Sequence, residues 1–105
     1  ISLRVPTITG SLTDFTFLVG KTTSVQEVNA ILSEESKSDR WKGIMAVTNE
    51  PLVSSDIIGR RESSIIDLAL TKVIDSNLVK IFSWYDNEWG YANRLVETVI
   101  DIANV

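Results

Sequence analysis

The residues richest in chemistry stand together near the end of the chain. Trp84 to Tyr91 reads WYDNEWGY, two Trp and two Tyr among Asp86, Asn87 and Glu88. Asn87 offers an amide that both donates and accepts, and Tyr91 offers a phenolic hydroxyl. Four residues apart, they share one face of a helix beginning at about Asn87, and a helix N-terminus favours polar or anionic ligands. Such a pair suits the recognition of another amide. The structural alternative is that the aromatics fill a core and Asn87 only helps to cap. Arg4, in the run Arg4-Val5-Pro6-Thr7, is the second candidate. A guanidinium suits bidentate binding of phosphate or carboxylate; the alternative is a surface charge at the start of an edge strand.

Other groupings are weaker. Asp86 and Glu88 are separated by two positions and do not face each other on a helix, so they make a poor acid-base pair. Arg60-Arg61 beside Glu62 reads as a solvated basic turn, and Met45 as core filler. The five glycines are scattered and form no phosphate-binding loop. No cluster has metal-ligand spacing. There is no Cys and no His, which removes thiolate nucleophiles, Cys-based metal sites and the commonest general base near neutral pH.

The elements that must position these residues belong to an ordinary globular chain. It has 105 residues, 44% hydrophobic and 23% charged, about one domain. Ten basic residues against fourteen acidic give a net charge of -4, which disfavours nucleic acid as a partner. No apolar run approaches the roughly 20 residues of a membrane span. The chain begins at Ile1 without the features of a signal peptide, and the expectation is a soluble chain whose N-terminal part has been cut away.

Ser11 to Val19 has the pattern of a strand covered on both faces. Ser24 and Glu27 have capping-box spacing, followed by Val25, Val28, Ile31 and Leu32 on one helical face. Gly43 to Thr48 is a short apolar strand. Leu52 to Ile58 is mixed. Ser64 to Ile74 reads as a strand interrupted near Ala69. Asp75-Ser76-Asn77 is a turn leading into a strand over Leu78 to Tyr85, so the two runs predict an antiparallel hairpin. Asp86 is a good N-cap, and Ala92, Leu95, Val96, Val99, Ile100 and Ala103 form the clearest apolar stripe in the chain. The order predicts an α+β fold with a largely antiparallel or mixed sheet, a helix on one face and a C-terminal helix.

Trp84 to Arg94 (WYDNEWGYANR) resembles the C-terminal signature of the phosphorylating glyceraldehyde-3-phosphate dehydrogenases. Arg4 to Thr7 (RVPT), Lys42-Gly43-Ile44, Glu50 to Val53 (EPLV) with Ser55-Asp56, and Val79-Lys80 follow the family's order at about its spacing. The resemblance implies a fragment of the dehydrogenase catalytic domain, with 1–86 as part of that domain. Residues 87–105 are then the last helix, packing against a cofactor domain outside this sequence. It implies NAD or NADP as cofactor, glyceraldehyde 3-phosphate and inorganic phosphate as partners, a cytoplasmic homotetramer, and 1,3-bisphosphoglycerate as product. In that chemistry a Cys attacks the aldehyde, hydride leaves to the nicotinamide, and phosphate cleaves the resulting thioester while a His serves as acid and base.

By the same resemblance Arg4 binds a phosphate, Asn87 holds the nicotinamide carboxamide, and Tyr91 packs near the nicotinamide ring. The catalytic Cys and His are both lacking, so the chain is expected to be inactive alone. After Pro6 the chain reads Thr7-Ile8-Thr9-Gly10, where the family usually has a Pro-Asn pair following the Thr. Two alternatives stay open: the sister erythrose-4-phosphate dehydrogenase, against which Tyr85 argues because the sister tends to have Cys there, and a non-catalytic binding module of the same fold. Alone, the piece is expected to expose sheet edges and the apolar face of its last helix, and to self-associate.

Overall fold

The computed structural model describes residues 1 to 105. Strand β1 (Ser11–Leu18) and strand β5 (Leu78–Tyr85) are antiparallel partners along their whole length, from Ser11 opposite Tyr85 to Leu18 opposite Leu78. The other edge of β5 is shared. Strand β3 (Ser64–Asp67) pairs with its C-terminal half and strand β4 (Lys72–Ile74) with its N-terminal half. Between them Leu68–Leu70 form a single 3-10 turn, capped by Asp67 Oδ1 accepting the Ala69 N–H at 3.2 Å. The interruption expected near Ala69 is therefore real: one run bends so that it pairs with β5 at 78–80 and again at 83–84.

The hairpin between β4 and β5 closes with the Asn77 N–H donating to the Ile74 carbonyl. Asp75 and Ser76 both have positive φ, 48° and 64°, the backbone that matches the twist of the flanking strands. Strand β2 (Met45–Thr48) lies parallel to β3 at the far edge. The sheet order is β1-β5-β3-β2, with β4 also on β5, a mixed sheet with one parallel pair. A parallel pair requires a crossover, supplied here by 49–63, which includes a 3-10 turn at Ser54–Ile57. The mixed segment thus resolves into a turn that buries Ile57 completely.

Helix α1 (Val25–Glu35) starts at Ser24, whose side chain accepts the Glu27 N–H at 3.2 Å. The return bond of a capping box is absent, because Glu27 instead accepts from the Thr23 hydroxyl. The helix faces β1 and β5 across a groove of about 270 Å³ lined by Phe17, Val28, Ile31, Leu32, Val79 and Ile81. Asn29 Nδ2 ties the helix to the Leu68 carbonyl at 3.0 Å.

Helix α2 (Trp89–Ala103) touches the body only at its start. Gly90 is buried there, and a Cβ would lie 3.2 Å from the Glu62 carbonyl oxygen, so close approach explains a glycine in a first turn. Arg94 donates to the Gly43 carbonyl at 3.1 Å. Beyond it the apolar stripe Leu95, Val96, Val99 and Ile100 is half exposed or more. The radius of gyration is 15.2 Å, against about 13 Å for a compact domain of this length.

Candidate functional site

The turn between β5 and α2 holds the polar residues of the aromatic run. Asp86 is buried, at 4% exposure, and both of its carboxylate oxygens are used. Oδ1 accepts the N–H groups of Glu88 at 3.0 Å and Trp89 at 2.9 Å. Oδ2 accepts the Gly59 N–H at 2.9 Å. The bonds from Trp89 and Gly59 hold the carboxyl below its ordinary 3.8, with Glu88 adding to them and outweighing the opposing effect of burial. Asp86 caps the turn ahead of the helix and is not its N-cap: the helix begins at Trp89, two residues later than the spacing indicates, and its N-cap, Glu88, makes no side-chain cap bond.

Asn87 therefore lies in the turn and not on the helix. Its Oδ1 accepts the Gly10 N–H at 3.0 Å, with the hydroxyls of Thr9 and Ser11 at 3.4 and 3.5 Å. Since a backbone N–H can only donate, the amide orientation is set: oxygen inward, Nδ2 outward and without a protein partner. Gly10 has φ +107°, and a Cβ there would sit 3.0 Å from the Ile57 Cδ1. This position needs glycine both for its backbone and for the space over the buried Ile57.

Tyr91 lies in the first turn of α2 and is 70% exposed. Arg4 lies in the N-terminal arm that precedes β1, exposed and in no ion pair or side-chain hydrogen bond. This corrects the placement of Arg4 at the start of a strand: pairing begins only at Ser11, because the full length of β5 is consumed by 11–18. The arm instead makes a tight turn at Pro6, with the Thr7 N–H donating to the Val5 carbonyl. Arg60, by contrast, is not a free basic residue. It forks onto Glu62 at 3.0 and 3.1 Å, so the Arg60-Arg61 turn is half neutralised.

A cavity of about 360 Å³ opens at the foot of α2, lined by Thr9, Ile58, Gly59, Asp86, Trp89 and Ala92. Thr9, Gly10, Ser11 and Gly59 are the residues that sequence reasoning missed as supports of this site. Gly10 and Asn87 are 77 residues apart, and no local spacing signals their contact. No group of acidic or His/Cys side chains could hold a metal ion. The arrangement can bind and orient: it presents a fixed amide donor at a helix mouth and supplies no nucleophile.

The chain is an α+β unit, a mixed sheet with a helix on one face, followed by a polar turn and a terminal helix. A family model described as "Glyceraldehyde 3-phosphate dehydrogenase, C-terminal domain" matches residues 1–87, and the chain belongs to that family. It is 54% identical over 90 residues to the glyceraldehyde-3-phosphate dehydrogenase of Thermotoga maritima, covering 86% of this chain and 27% of that protein. It is 52% identical over 98 residues to the Mycobacterium leprae enzyme of the same name, covering 93% of the chain and 28% of the relative. To glyceraldehyde-3-phosphate dehydrogenase 3 of Nostoc it is 47% identical over 103 residues, covering 98% and 31%. The chain thus spans less than a third of the length of these curated relatives.

Proposed function

We propose that this chain supplies the carboxamide and phosphate contacts of a phosphorylating glyceraldehyde-3-phosphate dehydrogenase. That enzyme is an NAD(P)-dependent oxidoreductase of glycolysis and gluconeogenesis, a cytoplasmic homotetramer that makes 1,3-bisphosphoglycerate from glyceraldehyde 3-phosphate and inorganic phosphate. The observation that carries the reading is the state of Asn87: its oxygen is spent on Gly10 and its Nδ2 has no partner. A fixed amide donor fits the oxygen of a nicotinamide carboxamide.

When bound, the nicotinamide provides the acceptor for hydride. The chain's own part is orientation. Asn87 donating to the carboxamide oxygen fixes the rotation of the ring and hence the face presented to substrate. The exposed Tyr91 ring offers an aromatic surface near it. Arg4, unpaired in its arm, offers five donors in a fork for a phosphate. The nucleophile and the acid-base group come from outside these residues, since the sequence holds neither Cys nor His. The 105-residue chain alone is therefore inactive.

The test is a chimera in which this chain replaces the matching C-terminal segment of the Thermotoga maritima relative. It should oxidise glyceraldehyde 3-phosphate with cofactor and phosphate. Asn87→Ala should raise the cofactor KM, and Arg4→Ala the phosphate KM. A chimera that folds and binds cofactor but does not turn over would overturn the proposal. So would an Asn87→Ala variant with an unchanged cofactor KM.

A further inference from the structure

We propose that Asp86 is the positioning residue for Asn87, tying the turn to the Gly59 loop and so fixing where the Asn87 amide points; this rests on the reading of Asn87 given above. An ordinary helix cap needs one side-chain acceptor for the N–H groups of the first turn. Asp86 does the equivalent for the turn that leads into α2 with Oδ1 alone, which takes Glu88 and Trp89. Its second oxygen does something no cap requires. It reaches across 27 residues to the Gly59 N–H. The backbone of Asp86 closes the turn as well, its carbonyl accepting the Gly90 N–H at 3.0 Å.

Asn87 is thereby held through its backbone neighbours and its own oxygen, with Nδ2 left free. The peptides on its C-terminal side are bonded to the Asp86 carboxylate, the residue before it is anchored to Gly59, and its own oxygen is bonded to Gly10. The two anchors converge, because the Ser54–Ile57 turn leads into Gly59 while its Ile57 side chain lies against Gly10. A two-oxygen acceptor is needed for this. Ser can cap the helix but lacks the second acceptor. Asn retains Oδ1 for Glu88 and Trp89 but turns an NH₂ donor against the Gly59 N–H.

The experiment uses the full-length chimera with Asp86→Asn, Asp86→Ser, Asn87→Ala and the double variant Asp86→Asn/Asn87→Ala. Two quantities are read: cofactor affinity by fluorescence titration, and hydrogen exchange at the Gly10 and Gly59 amides in the cofactor-free protein. Circular dichroism checks folding. The expected result is a loss of affinity of about tenfold in Asp86→Asn and in Asp86→Ser, the scale seen when groups supporting a ligand-binding residue are changed at metal sites. Exchange at Gly10 should rise in both, and Asp86→Asn should add nothing once Asn87 is Ala.

Wild-type affinity in Asp86→Ser would mean that the cap alone matters, and overturns the proposal. An equal loss from Asp86→Asn with or without Asn87 overturns it too, since Asp86 then acts on the fold at large. If Asn87→Ala alone leaves affinity unchanged, the carboxamide reading falls and the exchange data decide positioning by themselves. Unaltered Gly10 protection in Asp86→Asn then overturns it.

Discussion

The two apolar regions of this molecule have met opposite fates. Where β3 and β5 meet the turn at 54–57, Ile57 and Ile65 are at 0% exposure, and Ile66, Leu68 and Val79 at 5% or less. Along α2 the stripe from Leu95 to Ile100 is more regular in spacing, yet each of its members is at least 50% exposed. Periodicity tells which face of an element is apolar; it does not tell whether a partner lies within the same chain. The sheet junction has its partners at hand through long-range pairing. The last helix is held near its start, by Trp89, Gly90 and Arg94, and presents its stripe outward.

Substitutions can break this contrast. The largest effect belongs to the junction. Ile65→Ala should cost about 2–5 kcal/mol by leaving a cavity, enough to unfold a chain with so small a core, as a denaturant midpoint would show. Gly10→Ala comes next, at about 1–3 kcal/mol for its strained backbone, with added crowding against Ile57. Third, Asp86→Asn should cost about 1 kcal/mol by taking the acceptor from the Gly59 N–H and should also change the acid response. The folded protein holds this carboxyl below 3.8. Its stabilising contribution is therefore present above that pH and lost as pH falls through the lower, folded value. Trp fluorescence during acid titration should show that step in the wild type and a smaller one in the variant.

On the exposed side of the sheet, Asp14→Asn breaks the 2.8 Å bridge to Lys80 and should cost at most about 1 kcal/mol, less in high salt. The smallest effect belongs to α2. Val99→Ala should stay within about 0.5 kcal/mol, while Val96→Glu should reduce self-association in sedimentation. If Val99→Ala instead costs as much as Ile65→Ala, α2 is packed in solution and the contrast fails.

Local signals in the sequence reached the elements and stopped at their partners. The helix stripe of α2, the Ser24 cap, the Asp75-Ser76 turn and the bend at Ala69 were all legible, because each is decided within a few residues by periodicity, caps or positive φ. The parallel pairing of β2 with β3 was not, since an apolar run such as Met45–Thr48 specifies a strand without specifying its neighbour. Asn87 and Asp86 were visible as polar groups at a junction. Their ties to Gly10 and Gly59 were invisible because they join segments far apart in sequence. Arg4 was legible by type and wrong in setting, for an arm and a strand start look alike when the register is unknown.

Strand β5 carries every other strand except β2, and its neighbour β1 lies far before it in the sequence. Lys80 meets Asp14 from 66 residues away. During synthesis β1, carrying Phe15 and Phe17, leaves the ribosome well before β5, the strand it pairs with among these residues. Contacts of such separation form slowly, and an unpaired apolar strand is the segment most open to misassembly. The order of the sheet thus leaves this segment most vulnerable until β5 is made.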